Sequence, residues 1–212
     1  MKIDKIESYL AGNGYVLQIH TDTGISGLGQ TACWGYPEAV ERIVRRFEQY
    51  LIGQNPLRIE HHWQYLYRMG PFRGNVLCGA ISAVDIALWD IKGKYFSVPV
   101  WELLGGNCRH KIRLHLLVGQ PSPEAMYKAA KGAVAEGFTA IKFDPLVDGY
   151  QDMTQDQLIK SVCEMVDATR EGGGSGLDLI VELHRKLTPM NSVALAEALT
   201  KFNLYFIEDP IQ

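Results

Sequence analysis

The spacing of apolar residues changes character along this chain, and each change marks an element. Residues 3–10, 15–21 and 28–31 are rich in β-branched and aromatic side chains, and Asp22-Thr23-Gly24 between the second and third runs is a hairpin signal. From Pro37 the period lengthens. Val40, Ile43, Val44, Phe47 and Leu51 recur at helical spacing behind a first-turn proline, with Gly53 as the stop. A second helix over 56–68 carries Ile59, Trp63 and Leu66 on one stripe, and Gly70-Pro71-Phe72-Arg73-Gly74 breaks the pattern. A long helix over 75–96 follows; its small residues Gly79, Ala80, Ser82, Ala83 and Ala87 permit close approach of another element. A short helix and the double-glycine stop Gly105-Gly106 then place a domain boundary, which divides the chain into 1–110 and 111–212.

After Lys111 strand and helix alternate. Strands are expected at 112–118, 138–143, 177–183 and 204–207, with helical stripes at 123–136, 155–170 and 192–202. Repeated βα units with buried strands imply a parallel sheet with right-handed crossovers. The intervals fit a doubly wound sheet or part of a barrel, and the strand ends decide between them. Lys142-Phe143-Asp144-Pro145, Glu182-Leu183-His184-Arg185 and Glu208-Asp209-Pro210 collect polar residues at the C-terminal edge, where a barrel builds its site. No glycine-rich loop follows the first of these strands, as a dinucleotide fold would need. Gly172-Gly173-Gly174-Ser175-Gly176 leads into a strand and reads as a flexible connection. The expected fold is therefore an α+β N-terminal capping domain followed by the first half of a (β/α)₈ TIM-type barrel, about four βα units. A whole barrel takes about 250 residues, so the chain is expected to stop midway through one.

Composition narrows the function classes. The 212 residues are 47% hydrophobic with a net charge of -3, and the dispersed Lys and Arg form no basic stripe, which argues against nucleic acid as a partner. No apolar run is long enough for a membrane span and the N-terminus lacks a signal-peptide core, so a cytoplasmic protein without a membrane partner is expected. Cys33, Cys78, Cys108 and Cys163 are widely spaced and read as reduced, mostly buried thiols.

Chemistry points to one stretch, LIVELHRKLTP from Leu179 to Pro189. Side chains alternate along a strand, so Glu182 and His184 are expected on one side, with Leu183 turned away. Elsewhere the reading is structural. The neighbours His61 and His62 lack the spacing of a metal pair and read as solvated. Asp85 and Asp90 read as hydrogen-bonded carboxylates at a packed joint, and Gly24, Gly27 and Gly29 as part of a hairpin. Arg73 sits in a loop that either binds an anionic substrate or covers the surface.

The segment Ser82-Ala83-Val84-Asp85-Ile86-Ala87-Leu88-Trp89-Asp90-Ile91-Lys92-Gly93-Lys94, then Lys142-x-Asp144, Glu182-x-His184 and Phe206-Ile207-Glu208-Asp209-Pro210, resembles the enolase superfamily, mandelate racemase/muconate lactonizing enzyme branch. IKFDP followed by VELHRKLTP is most similar to its acid-sugar dehydratases of the gluconate and galactonate type. The resemblance implies Mg²⁺-dependent removal of a proton next to a carboxylate, through an enediolate. It gives Glu182 and Glu208 as metal ligands, although the family more often shows Asp at the first position. His184 is implied as the acid that protonates the leaving hydroxyl, and Lys142 as a partner for the substrate carboxylate. Asp144, Arg73 and Arg185 complete the substrate-binding candidates. Asp144 occupies the place where racemases and cycloisomerases of this family carry a basic lysine, so the general base and a third ligand are expected from strands beyond Gln212. The implied activity is dehydration of an aldonate to a 2-keto-3-deoxy acid by a homo-oligomer. A racemase, epimerase or cycloisomerase of the same superfamily, and a non-catalytic fragment acting as a binding or oligomer-forming module, stand as alternatives.

Overall fold

The computed structural model describes residues 1–33 and 35–211. It divides into two compact units, Met1–His110 and Lys111–Gln212.

In the first unit an antiparallel sheet runs in the order β1 (Ile3–Ala11), β2 (Gly14–Thr21), β3 (Ser26–Thr31), followed by helices α1 (Pro37–Leu51), α2 (Ile59–Tyr67), α3 (Asn75–Phe96) and the short α4 (Val100–Leu103). Alternation along β2 sends Tyr15, Leu17 and Ile19 into a core shared with Val40, Val44, Phe47 and Leu51 of α1 and with Ala80, Ala83, Val84 and Ala87 of α3. Burying each of the larger side chains contributes about 1.5–3 kcal/mol. The element that the small residues of α3 admit is β3. A methyl group at Gly27 would run into the carbonyl of Ala87, and one at Gly29 into that of Ala83, so both glycines serve a backbone-to-backbone contact. Asp90 fastens the joint by accepting from the Leu28 N–H at 2.9 Å and from Lys94 Nζ at 2.8 Å. Burial raises the pKa of Asp85, on the same helix.

The histidine pair behaves differently from the sequence expectation. His62 is fully buried, its Nε2 donates to the Asn55 carbonyl at 2.8 Å, and its Nδ1 accepts from the Tyr50 hydroxyl at 2.9 Å. The carbonyl can only accept, which fixes the neutral tautomer with the proton on Nε2. Only His61 of the pair is exposed.

The second unit is a four-stranded parallel sheet in the order β4 (Leu116–Val118), β5 (Ala140–Phe143), β6 (Asp178–Glu182), β7 (Phe206–Glu208). Helices α5 (Pro123–Ala135), α6 (Gln155–Gly173) and α7 (Pro189–Leu199) connect them, and a 3₁₀ turn at Thr200–Phe202 precedes β7. Local sequence sets each helix start. Ser122, Thr154 and Thr188 accept from backbone amides of the first turn, Thr154 within a full capping box with Gln157. Phe143, Leu179 and Val181 pack with Met126, Leu158, Val162 and Leu195 in the core beneath the sheet.

Three expectations need correction, two in this half and one that runs along the whole chain. Residues 112–115 are exposed and irregular, and the strand begins only at Leu116. The glycine run is no flexible connector at its start. Gly172 and Gly173 belong to α6, where a side chain at Gly172 would collide with the Tyr127 carbonyl of α5. Arg170 then closes the helix end by donating to the carbonyls of Gly174, Leu177, Phe202 and Asn203. Finally, none of the four cysteines is buried: Cys78 and Cys108 are exposed and Cys33 and Cys163 half-buried, all as free thiols.

Candidate active site at the strand ends

Parallel pairing places Glu182 directly beside Glu208, because β6 and β7 run in register from Ile180↔Phe206 to Glu182↔Glu208. Lys142 on β5 pairs with Ile180, two residues before Glu182, so its side chain starts on the same face and reaches up to both carboxylates. Its ammonium lies 3.2 Å from Glu182 Oε2 and 2.9 Å from Glu208 Oε2. The hydrogen bond to Glu208, supported by the one to Glu182, raises the lysine pKa against the effect of burial. Glu182 is only 4% exposed. Burial works against its carboxylate, but the His184 amide, at 3.0 Å from Oε1, and the Lys142 ammonium outweigh this and hold its pKa below the usual glutamate value.

His184 joins this group by a route other than strand alternation. The strand stops at Glu182, and the Lys186 N–H donates to the Leu183 carbonyl at 3.0 Å, which closes a tight turn. Both central residues have positive φ, His184 at 49° and Arg185 at 59°, as in a type I′ turn. The turn folds the imidazole back so that Nδ1 lies 3.3 Å from Asp144 Oδ2 and 4.0 Å from Glu182 Oε1. Its side chain is 54% exposed. Asp144, one residue past β5, also accepts from the Leu146 N–H at 3.0 Å and from Lys186 Nζ. Arg185 points the other way, with its guanidinium 2.7 Å from Asp209 Oδ2.

The structure thus gathers Lys142, Asp144, Glu182, His184 and Glu208 on one edge, with Arg185 bound to the neighbouring strand end. Arg73 belongs to the first unit, where its guanidinium donates to the Pro71 carbonyl and lies over the Tyr67 ring. Two residues were missed from sequence, Lys186 and Asp209. Both stand inside the quoted motifs, but strand alternation gives no warning of a left-handed turn that recruits them.

A divalent cation suits part of this group. The donors are carboxylate oxygens, as a hard cation requires, and Glu182 and Glu208 already converge on a positive charge. They supply two ligands; among the described residues no cluster of three or more His, Cys, Asp and Glu side chains is arranged to hold a metal. A groove of about 1000 Å³ runs along α6 and the Thr200–Phe202 turn, lined by Lys160, Cys163, Asp167, Arg170 and Lys201, and none of the strand-end residues lines it. The ionisable groups converge at the strand ends and not in that groove, which makes the strand-end edge the candidate site.

The chain has an α+β unit followed by consecutive βα units, with carboxylates at the C-terminal ends of parallel strands. Residues 11–105 match the pattern described as mandelate racemase/muconate lactonizing enzyme, N-terminal domain, and residues 125–212 match the one described as enolase C-terminal domain-like. The chain belongs to the mandelate racemase/muconate lactonizing enzyme branch of the enolase superfamily. It is 36% identical to a D-galactonate dehydratase of Pectobacterium atrosepticum over 216 residues, all of this chain and 56% of that protein. A member of the enolase superfamily from Salmonella Typhimurium superposes with a TM-score of 0.90 at 27% identity, covering all of this chain and 62% of the other. An enolase from Agrobacterium radiobacter, bound to sodium and L-malate, gives a TM-score of 0.91 at 26% identity over all of this chain and 56% of that one. The chain therefore spans about half to two thirds of the length of these proteins. No described helix is long and apolar enough to cross a membrane.

Proposed function

We propose that this chain carries the first part of the active site of a Mg²⁺-dependent sugar-acid dehydratase. The observation that carries the reading is the Glu182–Glu208 pair, side by side on the ladder, with the His184 imidazole 4.0 Å from Glu182. In the reaction the C–H bond next to the substrate carboxylate breaks, the adjacent C–O bond breaks with loss of water, and the resulting enol becomes a 2-keto-3-deoxy acid. Glu182 and Glu208 would hold the Mg²⁺, whose charge stabilises the enediolate. Lys142 exchanges its carboxylate partners for the substrate carboxylate and orients it. His184, half exposed at the strand end, donates the proton to the leaving hydroxyl. Asp144 is bound to Lys186 and has no basic nitrogen to offer the α-carbon, which disfavours racemisation at this strand. The likeness to D-galactonate dehydratases makes galactonate the first substrate to try. The same reading gives a homo-oligomer of the cytoplasm with a small acid as partner.

The test is to express the protein from its complete reading frame and assay a panel of sugar acids, galactonate included, with Mg²⁺. A 2-keto-3-deoxy product from at least one acid is expected. Absence of product from all of them overturns the reading, and exchange of the α-proton with solvent deuterium without loss of water points to a racemase or epimerase instead.

A further inference from the structure

The turn that presents His184 is held on both flanks by contacts to which the proposed chemistry assigns no step. Two successive non-glycine residues with positive φ occupy a conformation that normally selects Asn-Gly, and here the pair is His-Arg. Such a turn persists only where surrounding contacts over-determine it. On the β7 side, the Leu183 N–H donates to the Glu208 carbonyl at 3.1 Å, the Arg185 N–H to the Asp209 carbonyl at 2.7 Å, and the Arg185 guanidinium to the Asp209 carboxylate. Asp209 is itself at φ 44°, so the partner strand end bends to meet the turn. On the β5 side, Lys186 reaches back to Asp144, the same carboxylate that faces His184 Nδ1. The two charged arms leave the turn in opposite directions and end on the two strands that flank β6.

We propose that Arg185–Asp209 and Lys186–Asp144 form a two-sided clamp, and that Lys186 and Asp209 are positioning residues that fix the imidazole of His184 beside Asp144 and Glu182. The inference rests on the dehydratase reading for the role of His184, while the clamp itself is a property of the chain. With either arm cut, the turn relaxes toward right-handed or extended backbone and the imidazole swings away from Glu182. Asp144 has a double duty under this arrangement. Lys186 anchors its carboxylate on Oδ2, and that anchored oxygen is what His184 Nδ1 faces.

The experiment compares Lys186→Met, Asp209→Ala and the conservative Lys186→Arg in the protein from the complete reading frame. Backbone amide exchange is followed without Mg²⁺ or substrate. The clamp predicts exchange at His184, Arg185 and Lys186 about tenfold faster or more in the first two variants, with α6 amides unchanged and Lys186→Arg close to the starting protein. In parallel, kcat for the best sugar acid falls about ten- to a hundredfold with KM nearly constant, the size expected of a displaced reacting group. Unchanged exchange at the turn overturns the clamp, as does equal acceleration in α6, which marks global loosening. Faster turn exchange with unaltered kcat overturns the positioning role. If no sugar acid is dehydrated even by the unaltered protein, the function fails while the exchange result still decides the clamp.

Discussion

His62 and His184 show how differently one side chain type is used in the two halves of this chain. His62, on α2, faces Tyr50 of α1 with both ring nitrogens bonded and no exposed surface. The Tyr50 ring also lies edge-on to it, with centroids 5.6 Å apart. Both ring nitrogens are satisfied by groups of the same packed joint, so the residue contributes to stability and offers nothing to a ligand. His184 is half exposed, rests on strained backbone, and faces carboxylates that also answer to Lys142 and Lys186. Its backbone conformation is a costly one for a residue that carries a Cβ. A fully satisfied polar group marks architecture, and a costly, partly satisfied one marks a candidate for function.

Substitution separates the two most sharply. His184→Asn is expected to lower turnover about 10²- to 10⁴-fold, the usual contribution of a general acid, with the unfolding midpoint in urea little altered; a variant with full turnover removes His184 from the chemistry. His62→Ala should act in the opposite way, costing about 3 kcal/mol in urea unfolding through the cavity and the unpaired Tyr50 hydroxyl, with kcat preserved in whatever folds. The pH dependence comes next in size. Burial lowers the His62 pKa below the ordinary value of 6.5, so the folded state favours the neutral ring. The unfolded chain then binds the proton first, and stability present above about pH 6.5 is lost as pH falls toward the folded pKa, by up to about 1.4 kcal/mol per pH unit. Comparing urea midpoints of the starting protein and His62→Gln between pH 7.5 and 5 isolates this contribution; identical slopes refute it. Smallest of all, His184→Gly should raise stability by about 1 kcal/mol, since glycine takes a positive φ without strain. A lower melting temperature for that variant would show that the imidazole contacts outweigh the strain.

Much of this is legible in the sequence. The change from alternation to helical spacing and then to βα units located the strands and helices because burial imposes those periods directly. The carboxylates at Glu182 and Glu208 were legible for the same reason, since a strand that leaves the core announces it by an abrupt polar end. What stayed hidden depended on backbone geometry. Alternation put His184 beside Glu182, and the residues do meet, but through a left-handed turn beyond the strand. Neither Lys186 nor Asp209 can be assigned a role without that turn. His62 escaped because its partners are the Asn55 carbonyl and Tyr50 on another helix, and a carbonyl carries no signature in sequence. The glycines of β3 were recognised as no phosphate loop, while their actual purpose, contact with α3, required seeing which element α3 admits.

The register that sets Glu182 against Glu208 has a consequence for how this site tolerates change. Their separation is inherited from the hydrogen-bonded rungs of a parallel ladder. The intervening α7 and the Thr200–Phe202 turn can then gain or lose residues, as insertions and deletions accumulate, without moving the two carboxylates apart. A slip of one residue between β6 and β7 would instead turn one of them to the opposite face. Drift in loop length is thus nearly free here, whereas a frame error of a single position within the strands erases the pair, and natural variation in the protein should be distributed accordingly.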